Sequence, residues 1–394
     1  MTTSRDCVRS PANRPDRALA AIAIGMMWVV ANTDVTAPNP GRVGLLVCGA
    51  ALAVLVVAAR LPAGYVAGYA VLVGLAERIG KVPFNDYSDV LRATREAIEV
   101  FLAGGNPYAH TMLSTNPVGS PFPYPPGEFL FYLPAYLLVG DIRWLDLAAT
   151  VGITAAIALA GLRAGFDRVV IPAMLYATWL FSSFHAGDGS NDSAAALLVV
   201  VAIVLLALHE VRPARSLFIA SAICFGWALA FKQFAALFLV PILAALAAER
   251  AALRPWRAYA ALSLGTAAAF VLPFLVRDPQ AFIGQQVAGL TFHTALSGIN
   301  LPLGLAGLGI ALPPLVAPVL QLAVLAALLG WSVARRAAGI GRATLLGTLA
   351  MLAALLLAGW TSQAYWLYAA ATGLLGVALL EDGPVAEDGR VAAT

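Results

Sequence analysis

The chain has 394 residues, 61% of them hydrophobic and 11% charged, and its mean hydropathy is +0.83. These values lie far outside the soluble range and describe a polytopic membrane protein. The formal charge of +3 is dispersed between apolar runs, which excludes a nucleic-acid-binding surface, and Cys7, Cys48 and Cys224 form no spaced set for a disulfide framework or a zinc site.

The Arg-rich N-terminal tail leads into an apolar run without a small-residue cleavage site, so a retained anchor is expected. Counting runs that cross about 30 Å of hydrocarbon, with short and tilted helices allowed, predicts twelve spans. They cover 18–32, 43–59, 61–76, 146–162, 169–184, 193–208, 216–231, 234–248, 258–276, 312–333, 343–360 and 364–380. A further run, Phe129–Val139, would reach only about 18 Å as a helix and is expected to be interfacial or re-entrant. The predicted fold is an all-α, single transmembrane domain over 1–380, with one long polar loop at 77–145. The acidic tail 381–394 is expected to be a disordered cytoplasmic end.

Charge sets the expected sidedness, because Lys and Arg gather on the cytoplasmic side. With twelve spans and both termini inside, the clusters Arg212/Arg215, Arg250/Arg254/Arg257 and Arg335/Arg336/Arg342 all fall inside; making Phe129–Val139 span would turn them outward. It follows that the polar loop, the segment His185–Asp192, the loop Arg277–Ile310 and the turn Trp360–Gln363 share the extracytoplasmic face and could converge. A bacterial inner-membrane location is expected. No GxxxxGK[ST] phosphate loop occurs, so any activated substrate would arrive by another route, such as a lipid carrier.

Within the polar loop, Ser88–Ala103 carries Leu91, Thr94, Ile98, Phe101 and Leu102 at helical spacing, with Asp89, Arg92, Glu96 and Glu99 on another face. An amphipathic helix lying on the membrane surface is predicted. Asp86 and Asp89 sit at its N-terminus, where the helix dipole favours a carboxylate. The competing explanation is that Asp86 or Ser88 only caps the helix. The following Gly104–Tyr108 (GGNPY) should end the helix and turn, and Tyr124–Glu128 (YPPGE) should run extended into the next apolar run.

Lys232, one of two lysines, lies in an apolar sequence at the end of a predicted span, and burying a lone ammonium there costs about 3 kcal/mol or more, so it is a functional candidate. Snorkelling to the interface is the alternative. Asp188, Asn191 and Asp192 could hydrogen-bond a polar substrate, or form a solvated turn with Asp192 capping the next helix. His185, Gln285, Gln286 and Gln363 are weaker candidates for the site wall. Trp360, Tyr365 and Trp366 fit an aromatic belt. Arg92 and Arg95 could face an anion or pair with Glu96 and Glu99. The acidic spacing lacks an EF-hand pattern, and no metal is expected.

An acidic pair after an early span, an amphipathic helix, GGNPY, YPPG entering an apolar run, a later Asn-Asp loop, a Lys at a helix end and a final SQAYW segment occur here in order. Over roughly Phe84 to Trp366 this order resembles the GT-C superfamily, and more narrowly the actinobacterial polyprenyl-phosphate-mannose-dependent mannosyltransferases, long catalogued as a domain of unknown function. The N-terminus departs from the superfamily, since three predicted spans rather than one precede the acidic loop.

The resemblance implies transfer of a hexose, mannose first, from a polyprenyl phosphate to a glycolipid or glycan acceptor outside the membrane. Asp89 would be the general base, with Asp86 the second choice. Lys232, His293 and Arg92 would face the donor phosphate, and Tyr124, Asp188, Asp192 and Gln363 the substrates. No cofactor beyond the lipid-linked donor is implied. A departing lipid phosphate is already a weak base, so one carboxylate with cations suffices. A transporter or flippase, or a catalytically silent assembly partner of the same fold, are the rival expectations.

Overall fold

A computed structural model describes residues 71–72, 74, 78–79, 88–179, 185–249, 255–291, 298–310, 312–313, 315–334 and 339–380. The first two predicted spans, most of the third, Asp86, His293 and the acidic tail lie outside the described residues. Within them every regular element is helical, and five helices are long and apolar enough to cross a membrane: Arg143–Ala164, Asp192–Val211, Pro255–Arg277, Val316–Ala334 and Ile340–Leu357.

In chain order the helices are α1 (Asp89–Leu102), α2 (Gly127–Val139), α3 (Arg143–Leu159), α4 (Phe166–Thr178), α5 (Asp192–Val211), α6 (Arg215–Phe231) and α7 (Ala236–Glu249). They continue with α8 (Pro255–Arg277), α9 (Pro279–Thr291), α10 (Leu301–Gly307), α11 (Val316–Ala334), α12 (Ile340–Leu357) and α13 (Tyr365–Ala378). A short turn of helix, Gly161–Ala164, extends α3. Each of the nine predicted apolar runs from 146 to 380 contains one of these helices. Phe129–Val139 forms most of α2, whose 13 residues span about 20 Å, short of a bilayer crossing.

Helix α5 lies at the centre. It is apolar on every side, as a fully enclosed helix must be, and packs against α3, α6 and α13. Small residues bring the neighbours close: an added Cβ on Gly127 of α2 would stand 2.6 Å from the Ala230 carbonyl oxygen of α6, and one on Gly226 of α6 would stand 2.6 Å from Thr266 Cβ of α8. Buried hydroxyls join helices across these contacts, with Ser221 donating to the Ala202 carbonyl at 2.6 Å and meeting the Tyr259 hydroxyl at 3.0 Å. By contrast α8 and α11 expose most of their apolar surface, including Val276, Val316, Val319 and Leu322. Such faces need a lipid solvent.

Helix α1 departs from its expected placement. Its apolar face, Leu91, Ala93, Ala97 and Ile98, is buried in the protein core rather than spread on a membrane surface. The reason is local packing: α2 and the short 3-10 turn Pro107–Ala109 cover that face, and Gly189 presses on Leu91, where an added Cβ would meet Leu91 Cβ at 2.6 Å. Leu102, expected on the same stripe, is exposed.

The polar segments do converge. Arg277 Nη2 donates to the Gly104 carbonyl at 2.9 Å, Phe122 N–H donates to Gln285 Oε1 at 2.8 Å, and Gln233 Nε2 donates to the Pro123 carbonyl and Gln286 Oε1, each at 3.1 Å. At the other ends of the helices, Arg163 pairs with Glu210 at 2.6 Å and Arg168 donates to the Leu380 carbonyl at 2.8 Å. The bundle therefore has one end built from the long loop and an opposite end bearing the Arg163 and Arg168 contacts.

Candidate functional site

At the loop-bearing end, α1 starts without a side-chain cap: Ser88 occupies the N-cap position and makes no capping hydrogen bond. This removes the Ser88 capping explanation and leaves Asp89 as the acidic residue of the first turn, favoured there by the helix dipole. Asp89 is exposed, and its Oδ1 accepts the Asn116 N–H at 3.2 Å. Arg92 is half-buried one turn on and makes further contacts of its own.

The loop after α1 is tightly organised. Gly104 takes φ +78°, the left-handed conformation that ends the helix, and Asn106 Oδ1 accepts the Tyr108 N–H at 3.2 Å to start the Pro107–Ala109 turn. The Tyr108 hydroxyl donates to the Tyr124 carbonyl at 2.8 Å, and its ring meets Phe122, Phe274 and Phe282. Glu96 faces the loop. It accepts the N–H groups of Leu113 and Ser114, each at 2.8 Å, and the Ser114 hydroxyl at 2.6 Å, and lies 2.7 Å from His110 Nε2. Burial works against its charge, but these hydrogen bonds from Leu113, Ser114 and His110 outweigh it and hold the carboxyl at about 2. Glu96 thus makes this loop contact, where pairing with Arg92 or Arg95 is one of two alternatives from the sequence, and Glu99 accepts the Tyr136 hydroxyl at 3.0 Å.

Beneath α1 lies a buried polar network. Thr94 donates to Glu128 Oε1 at 2.6 Å, Asn191 Nδ2 donates to the same oxygen at 3.1 Å, and Lys232 donates to Asn191 Oδ1 at 2.9 Å and to Asp192 Oδ1 at 2.5 Å. The chain thus ties α1, α2, the start of α5 and the end of α6. Lys232 is only 3% exposed, so it does not snorkel to the interface. Its ammonium also stands 4.7 Å from the Tyr365 ring centre and 5.6 Å from that of Tyr124. A donor phosphate would have to compete with these partners.

The loop His185–Asp192 is shaped by two left-handed residues, Gly189 at φ +73° and Asn191 at φ +58°. That turn places Asn191, not Asp192, at the N-cap position of α5, so the capping explanation of Asp192 gives way to the ion pair with Lys232. Asp188 accepts the Ser190 N–H at 2.9 Å and lies 2.5 Å from His185 Nδ1. Both are buried, unlike the residues of a solvated turn.

Of the site residues expected from sequence, Tyr124, Lys232, Asp192 and the Asp188 loop belong to one buried neighbourhood linked to α1 through Thr94. Gln363 is exposed and outside that network, while Thr361 of the same turn accepts the Ile299 N–H at 3.1 Å. Glu128, Asp146, Tyr132, Glu96 and His110 were missed. Glu128 and Asp146 are fully buried carboxylates, and Asp146 accepts the Tyr132 hydroxyl. A signal existed for both, since each opens an apolar run, where an ionisable residue is exceptional. Among the described residues no group of three or more His, Cys, Asp or Glu side chains could hold a metal ion. No protein-family model, no curated protein and no solved structure matches this chain.

Proposed function

We propose that this chain is a polytopic GT-C-like glycosyltransferase of twelve spans that moves a hexose, mannose first, from a polyprenyl phosphate to a glycolipid or glycan acceptor on the extracytoplasmic side of the bacterial inner membrane. The reading is supported by the order of motifs from Phe84 to Trp366, and one observation carries it. Asp89 is an exposed carboxylate at a helix N-terminus, steadied among the described residues by the Asn116 N–H, at the end of the bundle where the polar segments meet. A carboxylate so placed retains free lone pairs to accept a proton from an acceptor hydroxyl as it attacks the anomeric carbon. Arg92 and His293 are the sequence candidates for the departing phosphate, with Lys232 bracing the floor or, once its partners yield, joining them. Asp86 is the reserve base.

The test is transfer activity of the purified protein in lipid, with polyprenyl-phosphate carriers of mannose, glucose, arabinose and rhamnose. Asp89→Asn should lower kcat by roughly a hundredfold or more, the range for losing a positioned general base. Full activity in both Asp89→Asn and Asp86→Asn removes the proposal.

A transporter or flippase is the second reading. The observation in its favour is the set of buried ionisable groups, Glu128, Asp146, Asp188, Asp192, Lys232 and His185, since such groups within membrane segments mark ion or proton routes. Uptake or lipid translocation by proteoliposomes that shows no sugar transfer would select it.

A further inference from the structure

Glu96 and Asp89 are seven residues apart on α1, two turns along one face, so a segment laid across that face touches both. The segment is the loop after the Pro107–Ala109 turn. Glu96 takes the N–H groups of Leu113 and Ser114, the Ser114 hydroxyl and His110 Nε2, and two residues later the Asn116 N–H donates to Asp89 Oδ1. The loop is also closed on itself, with Gly119 N–H donating to the Met112 carbonyl at 2.7 Å and the Thr115 hydroxyl to the Pro117 carbonyl at 3.0 Å. A compact loop pinned at one end by a carboxylate carries its remaining N–H groups to fixed positions.

We propose that Glu96 is a positioning residue: by clamping His110–Ser114 onto α1 it sets the Asn116 N–H that orients the Asp89 carboxylate, leaving Oδ2 to receive the acceptor proton. The inference rests on Asp89 being the base. Glu96 itself touches no reacting atom. Its influence is geometric, and misplacement of a reacting group by about 1 Å costs on the order of a hundredfold in rate.

The experiment compares wild type, E96Q, S114A and D89N in lipid nanodiscs, reading kcat, KM for donor and acceptor, and deuterium uptake across 110–116. E96Q keeps the side-chain volume but turns an NH2 group toward N–H and O–H donors, so the clamp opens. The expected result is raised uptake in 110–116, a kcat lower by roughly tenfold to a hundredfold, and KM values within about twofold of wild type. S114A, which removes one donor near the surface, should shift the same quantities less, and it serves as the test if E96Q does not fold. Wild-type kcat with raised uptake, or unchanged uptake in both variants, overturns the positioning role while an inactive D89N leaves the base intact. A fully active D89N instead removes the base, and the positioning role with it.

Discussion

Lys232 shows how one residue's chemistry depends on what surrounds it. A lone ammonium in an apolar run is costly, and here the cost is offset by Asp192, Asn191 and the Tyr365 ring. Breaking such a pair strands the other charge. Lys232→Met should therefore destabilise the protein by about 3–5 kcal/mol, and the double variant Lys232→Met with Asp192→Asn by less than the single, both read from thermal unfolding in detergent. A Lys232→Met protein that melts like wild type while losing donor affinity would instead place the ammonium at the donor phosphate. Glu128 belongs to the same argument: with Oε1 accepting from Thr94 and Asn191, Thr94→Val should cost about 1–3 kcal/mol by removing a buried donor.

Among the elements, α6 is the hinge of the packing. Gly127 and Gly226 let α2 and α8 approach its backbone, and the Trp227 indole donates to the Gly127 carbonyl at 2.9 Å across the first of these contacts. Gly226→Ala should overpack the α6–α8 contact and lower stability by about 1–3 kcal/mol in the same unfolding assay. The clamp between α1 and its loop has its own pH signature. Glu96 is held at about 2 against an ordinary value of 4.5, so its stabilisation is complete above pH 4.5 and lost as pH falls toward 2. Hydrogen exchange at Leu113 and Ser114, corrected for intrinsic rates, should accordingly stay level from pH 5 to 8 and rise only in acid; a rise near neutrality would show that the carboxylate is not the clamp.

For the whole molecule, the decisive property is the separation of the loop-bearing end from the opposite end, where Arg163 and Arg168 make their contacts. In a background with the three native cysteines replaced, a single cysteine at Val118 should react with an impermeant thiol reagent added outside intact cells, and one at Arg212 should react only after permeabilisation. Reversal of that pattern would put Asp89 in the cytoplasm and end the proposed reaction with a lipid-linked donor on the outer leaflet. Both Val118 and Arg212 are exposed at their respective ends, so their labelling reports sidedness and not burial.

Composition and apolar run length already pointed to an all-helical membrane protein, because a helix is the form in which an uninterrupted apolar segment satisfies its own backbone in lipid. The positions of α3 to α8 and α11 to α13 followed from the same rule, as did the amphipathic character of α1. Partners did not. Whether α1 rests on lipid or on protein depends on what covers Leu91 and Ile98, and periodicity is identical in the two cases. That Asn191 joins Lys232 to Glu128 depends on two left-handed residues turning a loop between helices distant in sequence, and that Glu96 holds Ser114 depends on a loop folding back 18 residues along the chain. Hydrophobic pattern is a property of neighbours in the chain, whereas a polar network is a property of neighbours in space, which only the packed bundle brings together.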